Sequence, residues 1–337
     1  MTPLSILVLS DGRPGHYHLC DGVAAAIARR RPVLVQRLDI RRRKTAPNRL
    51  LAALLAFGRA PAALRLGYSL DARRLPRSDL VVSAGGDTVA ANVAIARETG
   101  ARNVHCGTLK HVPDTSLTAV VSSYDRHASR ERHIVALKPS SIDPDSMPPR
   151  SPVTTSAPPR RAGLLIGGDS GLFRYQPREW QTLLDFLGAA HVMLGTRWIV
   201  STSRRTPEAV ADLTAALARR PNGPIDELID FRAAGPGTLP RLFRDVDAVL
   251  ATADSSTMVS EAISARLPVV GVTPHESDFK DEEREYRAFM MRNGWSRFLP
   301  LAELTPQRFL DELSTVTPLS ENPLDRLAGE LARLGVF

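Results

Sequence analysis

The residues best suited to chemistry lie between Thr252 and Pro268, where a strand pattern gives way to a helix pattern. Asp254, Ser255 and Ser256 supply oxygens of the capping type just before the apolar spacing of a helix begins. The first turn of such a helix presents unpaired amides. These amides and the positive end of the helix dipole both favour the binding of a phosphate or carboxylate. An ordinary capped helix with a solvated face explains the same residues, so this stretch alone leaves both interpretations open.

The polar residues of this helix follow a helical spacing. Asp254, Thr257 and Glu261 recur at steps of three and four residues, so they would share one face. Val259 and Ile263 would then face the core. The polar stripe therefore needs a polar partner or water.

A second candidate anion site, Ser203 to Arg205, lies between a strand pattern and the start of a helix. Arginine offers a planar fork that binds phosphate through two hydrogen bonds, and a neighbouring hydroxyl adds a donor. Adjacent side chains diverge, so we expect one arginine to bind an anion and the other to form a salt bridge. Because a carboxylate would repel a diphosphate, Asp254 is expected to pair with Arg204 or Arg205 or to cap its helix. A solvated basic turn is the alternative.

Glycine pairs and glycine loops follow further strand patterns. AGLLIGGDSG places Gly167 and Gly168 after one of them, and SDGRPGHYHLCDG places Gly15 and His16 after another. The spacing is not that of a dinucleotide fingerprint, so tight turns explain these glycines equally well. His16 is a candidate catalytic base by its position alone, because a lone histidine is more often structural.

Strand patterns alternate with helix patterns along the whole chain, which predicts mostly parallel sheets with ligands at the carboxyl ends of the strands. We predict an α/β protein of two doubly wound, Rossmann-like domains facing a cleft. The predicted first domain covers residues 1–138, and a Pro- and Ser-rich linker covers 139–160. The second domain covers 161–315, and the helix in 316–337 could pack back on the first domain.

Several element boundaries are also predicted. Val23–Arg30 has the pattern of a helix, Thr206 is placed to cap another, and Leu228–Phe231 resembles a strand. Asn48–Tyr68 is a single helical region whose leucines and arginines could lie at an anionic membrane surface. A core helix with solvated arginines is the commoner explanation of such a pattern.

The composition favours acidic partners. Of 337 residues, 44 are Lys or Arg and 36 are Asp or Glu, giving a net charge of +8. Aromatic residues are only 5% and no nucleic-acid module is visible, so we expect small phosphorylated ligands and no nucleic acid. Cys20 and Cys106 suit buried thiols in a reducing compartment. The N-terminus has the pattern of a strand and not of a signal peptide, so we expect a cytoplasmic protein, with peripheral membrane contact as an open alternative.

Three motifs of the second half together resemble the mitochondrial fission ELM-like family: LLIGGDSGLFRY (164–175), STSRRTP (201–207) and TADSSTMVSEA (252–262). That family is similar to the GT-B group of two-domain sugar-nucleotide enzymes. SEAISARLPVVGV is similar to the donor-binding helix of the lipid-linked peptidoglycan N-acetylglucosaminyl transferases, in which a Glu seven residues before a Pro holds the ribose. Glu261 and Pro268 match those positions.

The resemblance implies a nucleoside-diphosphate sugar as donor substrate, bound in the interdomain cleft, with no metal and no further cofactor. The nucleotide and its phosphates would be bound by Gly167, Gly168, Ser203, Arg204, Arg205, Ser255 and Ser256. Glu261 would accept hydrogen bonds from the ribose, and His16 would deprotonate a hydroxyl of an unknown acceptor. Gly15, Asp254 and Thr257 are expected to support these sites.

The first half resembles the family less closely. Where a Pro-x-His-Asp sequence is expected, the chain has SSYDRH at 122–127, which keeps only Asp125 and Arg126. Two alternatives to a glycosyltransferase therefore stay open. One is a non-catalytic adaptor or scaffold, and the other is a sugar-nucleotide epimerase on the same fold.

Overall fold

The computed structural model describes residues 2–171 and 173–337; Leu172, which belongs to the first of the three motifs, lies outside them. The chain divides into a first unit, residues 1–141 with 321–337, and a second unit, residues 142–320. Within the described residues each unit contains a six-stranded sheet, and all neighbouring strands of both sheets are parallel. The predicted pair of doubly wound α/β domains is confirmed.

The elements of the first unit alternate as the sequence predicts. Its strands are β1 (Leu4–Ser10), β2 (Val33–Asp39), β3 (Leu80–Ala84), β4 (Arg102–Cys106), β5 (Ala119–Ser122) and β6 (His133–Val135). The helices among them are α1 (Pro14–Ala28), α2 (Asn48–Ala56), α3 (Ala60–Tyr68) and α4 (Val89–Thr99). The sheet order is β2-β1-β3-β4-β5-β6, so the chain changes direction across the sheet between β1 and β3. Loops that leave such a switch point diverge and leave a crevice at the carboxyl ends of the strands.

The second unit is built in the same way. Its strands are β7 (Arg161–Leu165), β8 (Phe173–Arg174), β9 (Arg197–Ser201), β10 (Ile225–Ile229), β11 (Ala248–Thr252), β12 (Val269–Thr273), β13 (Glu276–Ser277) and β14 (Ser296–Pro300). Its helices are α5 (Pro177–Leu194), α6 (Glu208–Ala218), α7 (Phe231–Ala234), α8 (Leu239–Arg244), α9 (Ser256–Ser264), α10 (Asp281–Arg292) and α11 (Pro306–Ser314). The sheet order β10-β9-β7-β11-β12-β14 is the Rossmann order, with its switch point between β7 and β11.

The last helix, α12 (Pro323–Arg333), belongs to the first unit and packs against α1. Its residues Leu324, Leu327 and Leu331 are buried in the same apolar core as the α1 side chains. Arg29 on α1 donates two hydrogen bonds to Asp325, at 2.9 and 2.8 Å, and this pairing lowers the pKa of the Asp325 carboxyl. The first unit is therefore completed by residues from the end of the chain.

Two predictions about side chains and membranes can be compared with the structure. Cys20 and Cys106 are free and buried, and burial raises the pKa of the Cys106 thiol to about 12. In the described part of the chain, no helix has the combination of length and apolar character that crossing a bilayer requires.

The predicted start of the first helix is wrong, because α1 begins at Pro14 and not at Val23. Proline suits the first position of a helix, since its missing N–H is unpaired there in any case. Gly15 and Gly22 consequently lie inside α1 and not in a loop. A Cβ on Gly22 would overlap the backbone between Pro139 and Ser140, so this glycine lets α1 approach that segment closely.

Two other boundaries differ from the prediction. The helical region from Asn48 to Tyr68 is split into α2 and α3 at Gly58, whose φ of +69° is left-handed and suits glycine. The strand predicted over Leu228–Phe231 is β10, which ends at Ile229. The carboxylate of Asp230 accepts the N–H of Arg232 and so starts α7 at the place where the strand was expected to continue.

A buried polar network joins β3, β4 and α4 below the carboxyl edge of the first sheet. His105 Nε2 lies 3.3 Å from the Thr108 carbonyl, so Nε2 carries the proton and Nδ1 accepts from Ser83 Oγ at 2.8 Å. Asn92 donates to Ser83 Oγ at 2.9 Å. Burial lowers the pKa of His105 from its ordinary 6.5 to about 4, so the folded protein holds this imidazole neutral.

This network makes stability sensitive to acid. Because unfolded His105 takes up a proton below pH 6.5 and the folded form does so only near pH 4, stability falls as the pH drops through this window. We expect His105 to contribute a loss of about 2 kcal/mol between pH 7 and pH 5. Urea denaturation should show a shallower pH dependence for His105→Gln than for the wild type. The exposed His111→Gln variant should keep the wild-type dependence, and equal slopes for all three proteins would contradict the assignment.

Candidate functional site

Three loops of the second unit meet at the carboxyl edge of its sheet, at the switch point between β7 and β11. They follow β7, β9 and β11 and carry Gly167, Ser203 and Asp254. Ser203 Oγ donates to the Gly167 carbonyl at 3.2 Å, and the Gly168 N–H donates to Asp254 Oδ2 at 3.2 Å. Residues from three separate stretches of sequence therefore form one connected cluster.

The two glycines of the first loop are needed for packing inside the protein. A Cβ on Gly167 would overlap the Asp254 carboxylate, and one on Gly168 would overlap the Arg205 carbonyl oxygen. The Gly167 N–H donates to Thr252 Oγ1 at 2.6 Å, and the Gly168 N–H is taken by Asp254. The absence of a side chain at both positions is therefore required by packing inside the protein, and a ligand role for these glycines stays a prediction.

Asp254 lies at the centre of the cluster, and its side chain is fully buried. Its carboxylate forms an ion pair with Arg205 and also accepts from the Gly168 N–H and, at 3.4 Å, from the Tyr175 hydroxyl. Burial, followed by the charge of Asp254, raises the pKa of Tyr175, so its hydroxyl keeps the proton that it donates. The expected arginine partner of Asp254 is thus Arg205.

The neighbouring Arg204 is in a different position. Its side chain is exposed, and it forms no hydrogen bond or ion pair with the described part of the chain. Arg205 is committed to a buried carboxylate, whereas Arg204 is free to contact an anion in solution. The two arginines differ in this way because side chains on neighbouring residues of the chain diverge.

The third loop leads into α9, whose first residue is Ser256 and whose N-cap is Ser255. Ser255 Oγ accepts the Met258 N–H at 3.4 Å. The backbone N–H groups of Asp254, Ser255 and Thr257 have no acceptor among residues 2–171 and 173–337. Unpaired amides at a helix start form a site suited to an anion.

Thr206 has a role other than the predicted one. The N-cap of α6 is Pro207, and the Thr206 side chain makes no cap hydrogen bond. Its Oγ1 instead accepts the Ser203 N–H at 2.8 Å and lies 2.9 Å from the Gly167 carbonyl, to which it donates. Thr206 therefore joins the loops after β7 and β9.

Arg287 on α10 supports the loop after β11 and is missed by the sequence analysis. It is 5% exposed, and its guanidinium donates to the carbonyl of Ala253, the residue before Asp254. It also lies 4.5 Å from the ring centre of Phe279 and 4.7 Å from that of Phe298. Burial lowers its pKa, and the nearby Glu283 opposes this shift. No sequence signal brings these distant aromatic residues together.

Glu261, the predicted ribose ligand, lies on α9 beyond the three loops and is partly buried. A helical rise of 1.5 Å per residue places it about 7.5 Å along the axis from Ser256. Ser256 and Thr257 are also partly exposed at the start of the same helix. A ligand that spans α9 from its N-terminus toward Glu261 would therefore have the length of a nucleotide fragment.

In the first unit, His16 lies at the corresponding switch point, on the first turn of α1. Its Nδ1 is 2.8 Å from Asp11 Oδ2, and the Asp11 side chain is 9% exposed. A Cβ on Gly85, in the loop after β3, would overlap the imidazole, so this glycine makes room for His16. In a neutral imidazole that donates from Nδ1 to Asp11, Nε2 is the atom able to accept a proton. His16 is a candidate from the sequence alone, whereas Asp11 is recognised only in the structure.

The chain has no group of three or more His, Cys, Asp or Glu side chains arranged to hold a metal ion, as far as the described residues show.

Comparison with known proteins identifies the fold and a family. A family model described as mitochondrial fission ELM1 matches residues 14–333. A search of the curated proteins finds no match. The chain is similar to UDP-GlcNAc 2-epimerase from Methanocaldococcus jannaschii, with a TM-score of 0.54 and 12% identity over 99% of both chains.

Two further solved structures are similar over nearly the whole chain. MurG from Acinetobacter baumannii gives a TM-score of 0.52 at 13% identity, covering 98% of this chain and 100% of that one. The kitacinnamycin glycosyltransferase gives 0.52 at 14% identity, covering 99% of this chain and 96% of that one. Likeness at such identities establishes the fold, which is of the GT-B type, and leaves function to be argued from the site.

The buried ion pair gives a testable prediction. Arg205→Met should lower the free energy of unfolding by about 3 kcal/mol, because it leaves the Asp254 carboxylate buried without its counter-charge. Adding Asp254→Asn should recover part of this loss. Arg204→Met is the matched control and should stay within about 0.5 kcal/mol of the wild type in urea denaturation. If Arg205→Met and Arg204→Met lost similar amounts of unfolding free energy, the stability of the buried Asp254 would not depend on Arg205.

Proposed function

The chain belongs to the mitochondrial fission ELM1 family, and from this premise we propose that it binds a nucleoside-diphosphate sugar at the carboxyl edge of the second sheet. We propose further that it transfers the sugar to the hydroxyl of an acceptor. The observation that carries the proposal is the set of unpaired amides at the start of α9 beside the uncommitted Arg204. The structural relatives of the same fold that are glycosyltransferases or UDP-GlcNAc epimerases by name support it.

The phosphate groups of the donor are assigned to Arg204, Ser255, Ser256 and the first amides of α9. The leaving nucleoside diphosphate gains negative charge as the bond to the sugar breaks. Fixed N–H donors and an arginine stabilise that charge without needing to reorganise. The neighbouring ion pair helps as well, because Asp254 is neutralised by Arg205 and so repels the diphosphate less.

The nucleoside is assigned to the α9 face that carries Glu261. A carboxylate accepts hydrogen bonds from both hydroxyls of a ribose, and its position further along α9 suits a group attached beyond the phosphates. Ser255 and Glu261 would then contact different parts of a single ligand.

His16 is assigned the role of general base. Asp11 orients its imidazole so that Nε2 can take the acceptor proton. A proton withdrawn from the acceptor hydroxyl makes its oxygen a better nucleophile toward the anomeric carbon of the sugar. The bond to the nucleoside diphosphate breaks in the same reaction, and the leaving group departs with the bonding electrons.

The second candidate function is epimerisation of a nucleotide sugar. The similarity to the Methanocaldococcus jannaschii UDP-GlcNAc 2-epimerase, with a TM-score of 0.54, is as high as the similarity to the glycosyltransferases. Both functions need the same phosphate and ribose contacts. They differ in the product, because an epimerase converts the sugar nucleotide without an acceptor.

The donor site is tested by calorimetry with UDP. Arg204→Ala and Glu261→Ala should each weaken UDP binding by about tenfold or more, because each removes a hydrogen bond to or from a charged group. Arg219→Ala, at the exposed end of α6, is the matched control and should bind UDP as the wild type does. Unchanged affinity in both site variants would remove these residues from the donor site.

The catalytic role of His16 is tested with UDP-GlcNAc as the probe. His16→Gln should slow release of UDP by about a hundredfold or more, and Asp11→Asn should have a smaller effect. Neither substitution should change UDP affinity. Conversion of the sugar nucleotide without UDP release would favour the epimerase. UDP binding with no turnover in the wild type would favour the adaptor function.

A further inference from the structure

The helix α2 is apolar on two sides, and the core covers only one of them. Leu51 and Leu55 are buried in the first unit. Leu50, Ala53 and Phe57 follow the spacing i, i+3, i+7, so they share another side of the helix. Leu50 is 44% exposed and Phe57, which ends the helix, is 81% exposed.

The helix α3, which packs against α2, also exposes a large apolar side chain. Leu66 is 46% exposed, although Leu64 and Tyr68 on the same helix are buried. We define the hairpin face by its exposed apolar and basic residues: Leu50, Phe57, Leu66, Arg49, Arg59 and Arg65. Several large exposed apolar side chains on two helices that pack together mark an interaction site more often than scattered ones do.

The charge of this region has a single sign. From Ile40 to Leu70 the sequence contains no Asp or Glu. Its basic residues are Arg41, Arg42, Arg43, Lys44, Arg49, Arg59 and Arg65. Arg42 pairs with Asp87 at 2.8 Å, and Arg49 contacts His111 at 3.4 Å, while Arg59 and Arg65 are exposed without an ion pair in the described part of the chain.

We infer that the hairpin face docks on an anionic membrane surface. Phe57, at the turn between the two helices, and the exposed leucines would enter the boundary between headgroups and acyl chains. The arginines would remain at the level of the lipid phosphates, because their long stems can lie along apolar surface while the charge stays hydrated. With nine residues, α2 would lie in the plane of the interface.

The positive charge of the hairpin face argues against a second copy of the chain as its binding partner. In a symmetric dimer the same patch would meet itself, so the arginines of one face would approach those of the other. Like charges repel in that arrangement, whereas anionic lipids supply the opposite sign over the whole area. The hairpin face thus fits an anionic bilayer better than it fits itself.

The inference is tested by co-sedimentation of the full chain with two kinds of vesicle. One is pure phosphatidylcholine, and the other is two parts phosphatidylcholine to one part phosphatidylglycerol. Wild-type protein should bind the anionic vesicles preferentially, and added salt should weaken that binding. Phe57→Ser should weaken it by about tenfold. Arg59→Glu combined with Arg65→Glu should weaken it by about 30-fold or more.

Matched controls lie on the second unit. Val192 on α5 is 84% exposed, and Val192→Ser removes an apolar side chain of similar exposure. Arg219→Glu with Arg220→Glu reverses two exposed charges at the end of α6. Both controls should bind within about twofold of the wild type, and all variants should keep its thermal midpoint. The inference would be overturned if the wild type bound both vesicles equally, or if Phe57→Ser bound as well as the wild type. It would also be overturned if the control variants lost as much binding as the hairpin variants, or if the protein self-associated and did not bind vesicles.

Discussion

The ion pair between Asp254 and Arg205 is the interaction on which the geometry of the candidate site depends. A carboxylate with no solvent exposure must have its charge balanced, and Asp254 has an arginine, a backbone N–H and a tyrosine hydroxyl around it. The N–H of Gly168 comes from the loop after β7, Arg205 from the loop after β9, and Tyr175 from the segment after β8, so satisfying the charge of Asp254 brings these segments together with the loop after β11. The absence of side chains on Gly167 and Gly168 is what allows the carboxylate and the Arg205 backbone to enter.

Because of this ion pair, the two adjacent arginines have different roles. Arg205 is one-third exposed and holds the cluster together, whereas Arg204 points to solvent. Arg287 fixes the other side of Asp254 through the Ala253 carbonyl. The start of α9 is therefore held from both sides before any ligand arrives, which reduces the entropy that binding would otherwise cost.

The general architecture could be predicted from the sequence because parallel strands are buried on both faces and so appear as uninterrupted aliphatic runs. Such runs end shortly before Gly167, Ser203 and Asp254. The resemblance assigns residues of all three following loops to one nucleotide site, and the structure brings these loops together. The strand β14 was not predicted, because its sequence, SRFLP, contains an arginine and a proline and resembles a loop. The ligand roles of the site residues stay predictions.

Contacts between distant residues could not be predicted. The guanidinium of Arg287 packs against the rings of Phe279 and Phe298, which are distant from it in sequence or lie on other elements. The pairing of Asp11 with His16 depends on how the loop after β1 turns. Sequence patterns indicate which face of an element is apolar, but they do not indicate which side chains meet across a loop. The assignment of Thr206 failed for this reason, because Thr206 bonds to a neighbouring loop and does not cap α6.

The placement of α12 has a consequence for how the protein is made. Synthesis proceeds from the N-terminal side of the chain, so residues 1–141 emerge before residues 142–320, and the segment that completes their core, 321–337, emerges only after both. At roughly 5–20 residues per second, synthesis of the intervening unit takes on the order of ten seconds or more, during which the part of α1 that packs against α12 has no native cover. The second unit is continuous in sequence and can fold first. A nascent chain therefore carries an exposed apolar surface on α1 until α12 is synthesised, and chaperones that recognise such surfaces have that interval in which to bind it.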